Sequence, residues 1–316
     1  MTPDPPAAAE VRERSVGVAS ALSAYLIWGF LPLYFLLLLP TEAWEIVAWR
    51  ILLAFVFCLI LLTVTRAWPA FVRIVCQPRL LLLTAVAGVF IYVNWQVYIL
   101  ATLSDHVIET SLGYFINPLF TILLGVVVLG ERLRRMQWVA VAIGAVAVVI
   151  IAVDYGRPPW IALVLAFSFG MYGFFKKQAA VGAADSLAVE TGVLFVPAVI
   201  ALAVIAADGN MAFGHHGAGS ALLIAGTGLI TAIPLLLFAA ATRRLPLSII
   251  GLLQYLAPVL QFAVGVGIRH ESLPAAEFVG FALVWIALIV LTVDGLRNGR
   301  RAAVQRELSA EPAATV

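Results

Sequence analysis

Ten stretches of about 20 mostly apolar residues follow one another along this chain, with almost no charge inside them. They lie at approximately 17–39, 45–65, 80–103, 107–129, 136–153, 158–175, 187–207, 219–241, 246–268 and 275–296. A helix of that length crosses the ~30 Å hydrocarbon core of a bilayer. A mean hydropathy of +1.06 with only 11% charged residues excludes an ordinary soluble domain and a disordered chain. A transmembrane barrel would show segments of about 10 residues with alternating polarity, and the sequence has none. The expected fold class is an all-α integral membrane protein with ten transmembrane helices.

The basic residues set its orientation. Arg12 and Arg14 precede the first span, and Arg66, Arg73 and Arg79 separate the second from the third. Arg132, Arg134 and Arg135 follow the fourth, Lys176 and Lys177 the sixth, and Arg243 and Arg244 the eighth. Arg297, Arg300, Arg301 and Arg306 end the chain. Sixteen of the 19 basic residues thus fall on one side, against Arg157 and Arg269 on the other and Arg50 within a span. The positive-inside rule makes both termini cytoplasmic. Residues 1–16 and 297–316 read as cytoplasmic segments, with 1–14 and 302–316 expected to be disordered. The net charge of +2 reflects these topological signals, and nothing supports nucleic-acid binding. Cys58 falls in a span and Cys76 in a cytoplasmic loop, so no disulfide is expected.

The second half of the chain repeats the first. A shift of 140 residues lays Gly88 on Gly228, Ala101-Thr102 on Ala241-Thr242, and Pro118 on Pro258. It also lays Gly125 on Gly265, Glu131 on Glu271, Leu133 on Leu273 and Asp154 on Asp294. Further back, Glu45 falls on Glu190 with a shift of 145. Each copy holds five spans, so the second is inverted in the bilayer, as in alternating-access transporters. The repeats are expected at 17–156 and 157–296. Gly125, Gly144, Gly226, Gly228, Gly265 and Gly267 read as close-packing positions between helices.

Covalent chemistry finds no motif: there is no phosphate-binding Gly-rich loop ending in Lys-Ser/Thr, no His-Glu-x-x-His and no Gly-x-Ser-x-Gly. Neither enzyme activity, metal nor cofactor is expected, and His215-His216 reads as solvated loop. The stronger signal is ionisable groups within the spans, which cost several kcal/mol unless they face a cavity or a partner. Glu45 and Glu109 fall toward the external surface and Glu190 toward the cytoplasmic one. Each reads either as a gate or coupling group, or as an interfacial carboxylate at a helix N-terminus. Arg50 lies deeper. It reads as a partner for a carboxylate or for an anionic substrate group, or as a snorkelling side chain. Asn94, Trp95, Gln96 and Tyr98 on span three, Tyr114 and Asn117 on span four, and Gln254, Tyr255 and Gln261 on span nine are deeper polar candidates. Pro118 and Pro258, with Pro234, are expected to kink their helices near the midplane and mark a binding site.

Glu109-Thr-Ser-Leu-Gly-Tyr-Phe-Ile-Asn-Pro118 followed by Leu129-Gly-Glu-Arg-Leu-Arg-Arg-Met-Gln-Trp138 resembles the RarD-type permeases of the EamA family, in the drug/metabolite transporter superfamily. Ala24-Tyr-Leu-Ile-Trp-Gly29, Asn94-Trp95, Leu165-Ala-Phe-Ser-Phe-Gly170 and Gln254-Tyr255 with Pro258 agree with it. One departure is visible: Arg269-His-Glu-Ser-Leu273 stands where the family usually has a Gly-Glu pair. The resemblance implies two inverted five-helix repeats, a central cavity, and export or exchange of small molecules across the bacterial cytoplasmic membrane.

The expected function is therefore secondary-active transport, with a channel or an integral membrane enzyme as the alternatives. Substrate binding is expected at Asn94, Trp95, Tyr98, Tyr114, Asn117, Gln254 and Tyr255. Gating or coupling is expected at Glu45, Arg50, Glu109 and Glu190, with protons the candidate coupling ion. The other partners are a small-molecule substrate and the lipid bilayer.

Overall fold

A computed structural model describes residues 6–129, 132–242, 244–245, 250 and 253–310. Among them it contains eleven α-helices and no strand. These are α1 (Pro6–Leu36), α2 (Ala43–Thr65), α3 (Trp68–Cys76), α4 (Pro78–Leu103), α5 (Val107–Leu129) and α6 (Arg135–Tyr155). Then come α7 (Trp160–Ala179), α8 (Ala183–Ala207), α9 (Gly217–Thr242), α10 (Leu256–Gly267) and α11 (Ala275–Ala310). Eight of them, all but α3, α7 and α10, contain a segment long and apolar enough to cross a membrane. The 20 residues of α7 are sufficient in length, at ~1.5 Å each, but its last turn carries Lys176 and Lys177. At 12 residues α10 is about 18 Å long and cannot span a bilayer alone. The start of the expected ninth span, 246–249 and 251–252, lies outside the described residues, as do Gly130, Glu131 and Arg243.

Three expectations are corrected. The terminal segments expected to be disordered are helical over 6–14 and 302–310. Their Ala, Glu, Gln and Arg are strong helix formers. The stretch between the second and third spans is not plain loop: Pro69 at the N-terminal turn starts α3, which buries Ile74 and exposes Trp68, Val72 and Val75. The expected continuous helix through Gln254 is interrupted instead, with a turn at Gln254–Tyr255 before α10.

The chain forms two compact units. One comprises residues 1–121 and 160–272, the other 122–159 and 273–316. In the second unit α6 packs along α11, and Gly280 lets α11 approach Ile151. In the first unit α2 packs against α8 and α9, α4 against α7 and α8, and α1 against α9 and α10. Its core runs through Leu31, Phe35, Ile46, Ile51, Ile91, Trp95, Ile99, Leu165 and Leu202. Small residues bring these helices together, since no hydrophobic effect does so in lipid. A Cβ on Gly228 would lie 2.8 Å from the backbone carbonyl carbon of Leu53, and one on Gly88 would lie 3.2 Å from Cα of Glu190. Gly267, expected to be a packing position, meets nothing within 4 Å among the described residues.

Candidate functional site

The site is built on four helices of the first unit, α1, α2, α4 and α5, starting from one cation. Arg50 sits on the second turn of α2 and is 4% exposed. Its guanidinium carbon lies 4.3 Å from the ring centroid of Trp95 on α4 and 5.6 Å from that of Phe35 on α1. Such burial excludes snorkelling. Desolvated cation–π contacts supply about 2 kcal/mol, whereas a buried unpaired charge costs several. Its Nε and Nη1 are buried without a hydrogen-bond partner among the described residues. Among the described residues the charge is therefore wrapped in rings with two of its donors left open.

Polar groups gather around it. Asn94, Trp95 and Tyr98 share one stretch of α4, with Asn94 and Tyr98 one turn apart on the same face. Tyr114 of α5 donates its hydroxyl hydrogen bond to Asn94 Oδ1 at 3.0 Å, and its ring lies 5.7 Å from that of Tyr98. The phenols of Tyr34, Tyr98 and Tyr114 all lie within electrostatic reach of Arg50. Tyr98 Oη, Trp49 Nε1 and both amide atoms of Gln96 are buried and have no hydrogen-bond partner among the described residues. Asn94 also donates to Leu165 O at 3.2 Å and to Ser168 Oγ at 3.1 Å. Asn117 donates to Ala166 O at 3.0 Å. Both amides thus tie their helices to α7. Gln254 and Tyr255 are half-buried in the turn before α10, beside a separate core cluster around Tyr25, Ala241 and Ile250. Gln261 donates to Trp28 O at 3.0 Å.

Each acidic candidate is deeply buried and reaches another segment. Glu45 accepts from the backbone N–H groups of Ala212 and Phe213, both at 2.8 Å, and so holds the loop after α8. The rings of Trp49 and Phe213 lie tilted against each other beside it, with centroids 4.4 Å apart. Glu109 accepts from Ile161 N at 3.1 Å, in the first turn of α7. Glu190 on α8 pairs with Lys176 at 2.9 Å and accepts from Tyr172 at 3.3 Å and from Ser186. Lys176, read from the sequence as a topological charge, is also half of an ion pair whose carboxylate is fully buried and whose lysine is partly exposed. Its spacing of four from Tyr172 was the available signal. Glu271, laid on Glu131 by the repeat, accepts from Val107 N at 2.8 Å and Ile108 N at 2.9 Å. It covers the positive N-terminal end of α5.

Pro118 and Pro234 lie inside α5 and α9. Pro258 does not kink a continuous helix: it stands in the first turn of α10, behind the Gln254–Tyr255 turn. A proline there lacks the N–H that would bond the carbonyl of Gln254, so the helix breaks at that point. The carbonyl of Pro258 accepts from Ser111 at 2.8 Å. Pro32 in α1 and Pro197 in α8 are further intrahelical prolines that the repeat did not single out.

Residues 15–153 match the model of the EamA-like transporter family. The chain is 50% identical to Protein RarD of Streptomyces exfoliatus over 298 residues, covering 94% of this chain and 95% of that protein. It is 39% identical to Protein RarD of Escherichia coli K12 over 292 residues, covering 92% of this chain and 99% of that one. A solved structure, described only as a crystal structure of a protein, superposes with a TM-score of 0.58 at 18% identity. That superposition covers 88% of this chain and 97% of the other and supports the fold alone.

Proposed function

Because the chain belongs to the EamA family, as a RarD-type permease spanning the bacterial cytoplasmic membrane several times, we propose that it is a secondary-active transporter working by alternating access. It exports or exchanges a small molecule. The five-helix halves, 17–156 and 157–296, are inverted repeats that rock about the cargo site, with both termini cytoplasmic. The repeat register and the distribution of basic residues support that arrangement.

One observation carries the reading: Arg50 is buried among Trp95, Phe35, Tyr98 and Tyr114 with donors left over. Intramembrane charge of that kind marks a substrate path. Arg50, Trp95 and Tyr98 contact the cargo, and Tyr114 and Asn94 set the position of the rings. Asn117 shapes the adjoining wall, while Gln254 and Tyr255 join the site as the turn they form before α10 moves. Glu45, Glu109 and Glu190 act as gates, each fastening one segment to another. If any of them couples transport to protons, its Gln variant abolishes the effect of a pH gradient on flux. Undiminished pH dependence in E45Q, E109Q and E190Q would exclude that role.

The test of transport itself is a metabolite and antibiotic screen of cells with and without the protein. A transporter changes the internal level of a defined set of compounds, and flux saturates with concentration. A flux that never saturates indicates a channel, and a new compound formed in sealed vesicles indicates an enzyme.

A further inference from the structure

Resting on the cargo site proposed above, we infer that the substrate class is small organic carboxylates, with Arg50 as the residue that binds the carboxylate group. Two of the buried acids of the first unit are engaged elsewhere. Glu45, five residues before Arg50 on the same helix, gives both oxygens to the backbone of Ala212 and Phe213. Glu190 is held by Lys176, Ser186 and Tyr172. Arg50 keeps unpartnered donors at Nε and Nη1 while buried at 4% exposure. The Trp95 ring centroid lies 4.3 Å from the guanidinium carbon, and a ring offers the Nε and Nη1 donors no carboxylate-like acceptor. A planar carboxylate meets a guanidinium in its own plane with two parallel hydrogen bonds.

The rest of the site fixes the class further. A cationic cargo would be repelled by Arg50. A phosphate, carrying about −1.5 to −2 charge, would bring more charge than one guanidinium balances, and Lys176 is committed to Glu190. The rings of Phe35, Trp95, Tyr98 and Tyr114 suit an apolar or aromatic body behind the anion. The unpartnered Tyr98 hydroxyl is a neutral donor within electrostatic reach of the same cation.

The test is thermal unfolding of the purified full chain in sodium benzoate, acetate, phosphate or chloride at matched ionic strength, with benzamide as the uncharged control. Wild type, R50K and R50M are compared. Benzoate is expected to raise the wild-type midpoint by about 2 °C or more over chloride and benzamide. R50M is expected to lose that rise and to melt at or above wild type in chloride, because an unneutralised buried charge is gone. R50K keeps a smaller response, having no planar fork. The assignment is overturned if benzamide shifts the midpoint as benzoate does, if only phosphate shifts it, or if R50M responds like wild type. A fall of about 5 °C or more for R50M in chloride would make Arg50 structural and overturn it too. A benzoate shift with no flux in any transport assay would overturn the transporter reading and leave the anion site standing. Flux without the shift would do the reverse.

Discussion

At the scale of single residues, the polar groups of the first unit divide into those whose hydrogen bonds are complete and those left open. Tyr114 donates to Asn94 at 3.0 Å, so Y114F is expected to cost about 1 kcal/mol. Tyr98 has no partner for its hydroxyl among the described residues, so Y98F is expected to leave the melting midpoint unchanged or slightly raised. A midpoint that falls as far in Y98F as in Y114F would contradict that division. The Lys176–Glu190 pair behaves differently from both. K176M leaves the fully buried Glu190 charge without its partner and is expected to cost about 3 kcal/mol or more, while E190Q, which leaves a partly exposed lysine, costs less. The double variant K176M/E190Q recovers most of that, and a double-mutant cycle by thermal unfolding measures the coupling. The depth of Arg50 was legible in the sequence, because a cation five residues into an apolar run stands out. The pairing of Lys176 was not, since a lysine at a helix end has the same appearance whether it is solvated or folded back onto an acid on another helix.

At the scale of helices, close contact and chain breaks decide what each element does. A Cβ on Gly228 meets the backbone of α2 at 2.8 Å, and backbone cannot swing aside as a side chain does. G228A is therefore expected to cost about 1–3 kcal/mol. G267A, with nothing within 4 Å, is expected to be neutral or mildly stabilising through helix propensity. Parallel melting curves check the pair, and equal losses in both would sink the packing account of Gly228. Seven of the ten apolar stretches correspond to long helices with ends within a few residues of expectation, for instance 107–129 and Val107–Leu129. Apolar length is a one-dimensional property and reads out directly. The nine residues of α3 were missed because so short an amphipathic helix resembles a basic loop. The break at Gln254–Tyr255 was missed because proline signals a lost hydrogen bond without saying whether the helix bends or stops.

At the scale of the whole molecule, the proposal is a protein whose two halves face opposite ways across the membrane and expose one cargo site alternately. Its topology has a simple check in the two native cysteines. Cys76 is exposed beside Arg73 and Arg79, whereas Cys58 is buried. A membrane-impermeant maleimide is expected to label Cys76 in inside-out vesicles and not in intact cells, while H215C labels from the outside. Labelling of Cys76 in intact cells would invert the topology. The 140-residue register that suggests the repeat is legible through its prolines, glycines and acids. Which polar side chains are left without partners is not, because burial and hydrogen-bond completeness depend on how distant segments pack. The most direct measurement is the mass-spectrometric profile of proteoliposomes loaded with a bacterial metabolite extract, containing wild type, R50M or no protein. A cargo site at Arg50 predicts saturable loss of a defined set of carboxylates from wild-type vesicles only. Wild-type and R50M vesicles with the same losses, or wild-type vesicles that match empty ones, would contradict it.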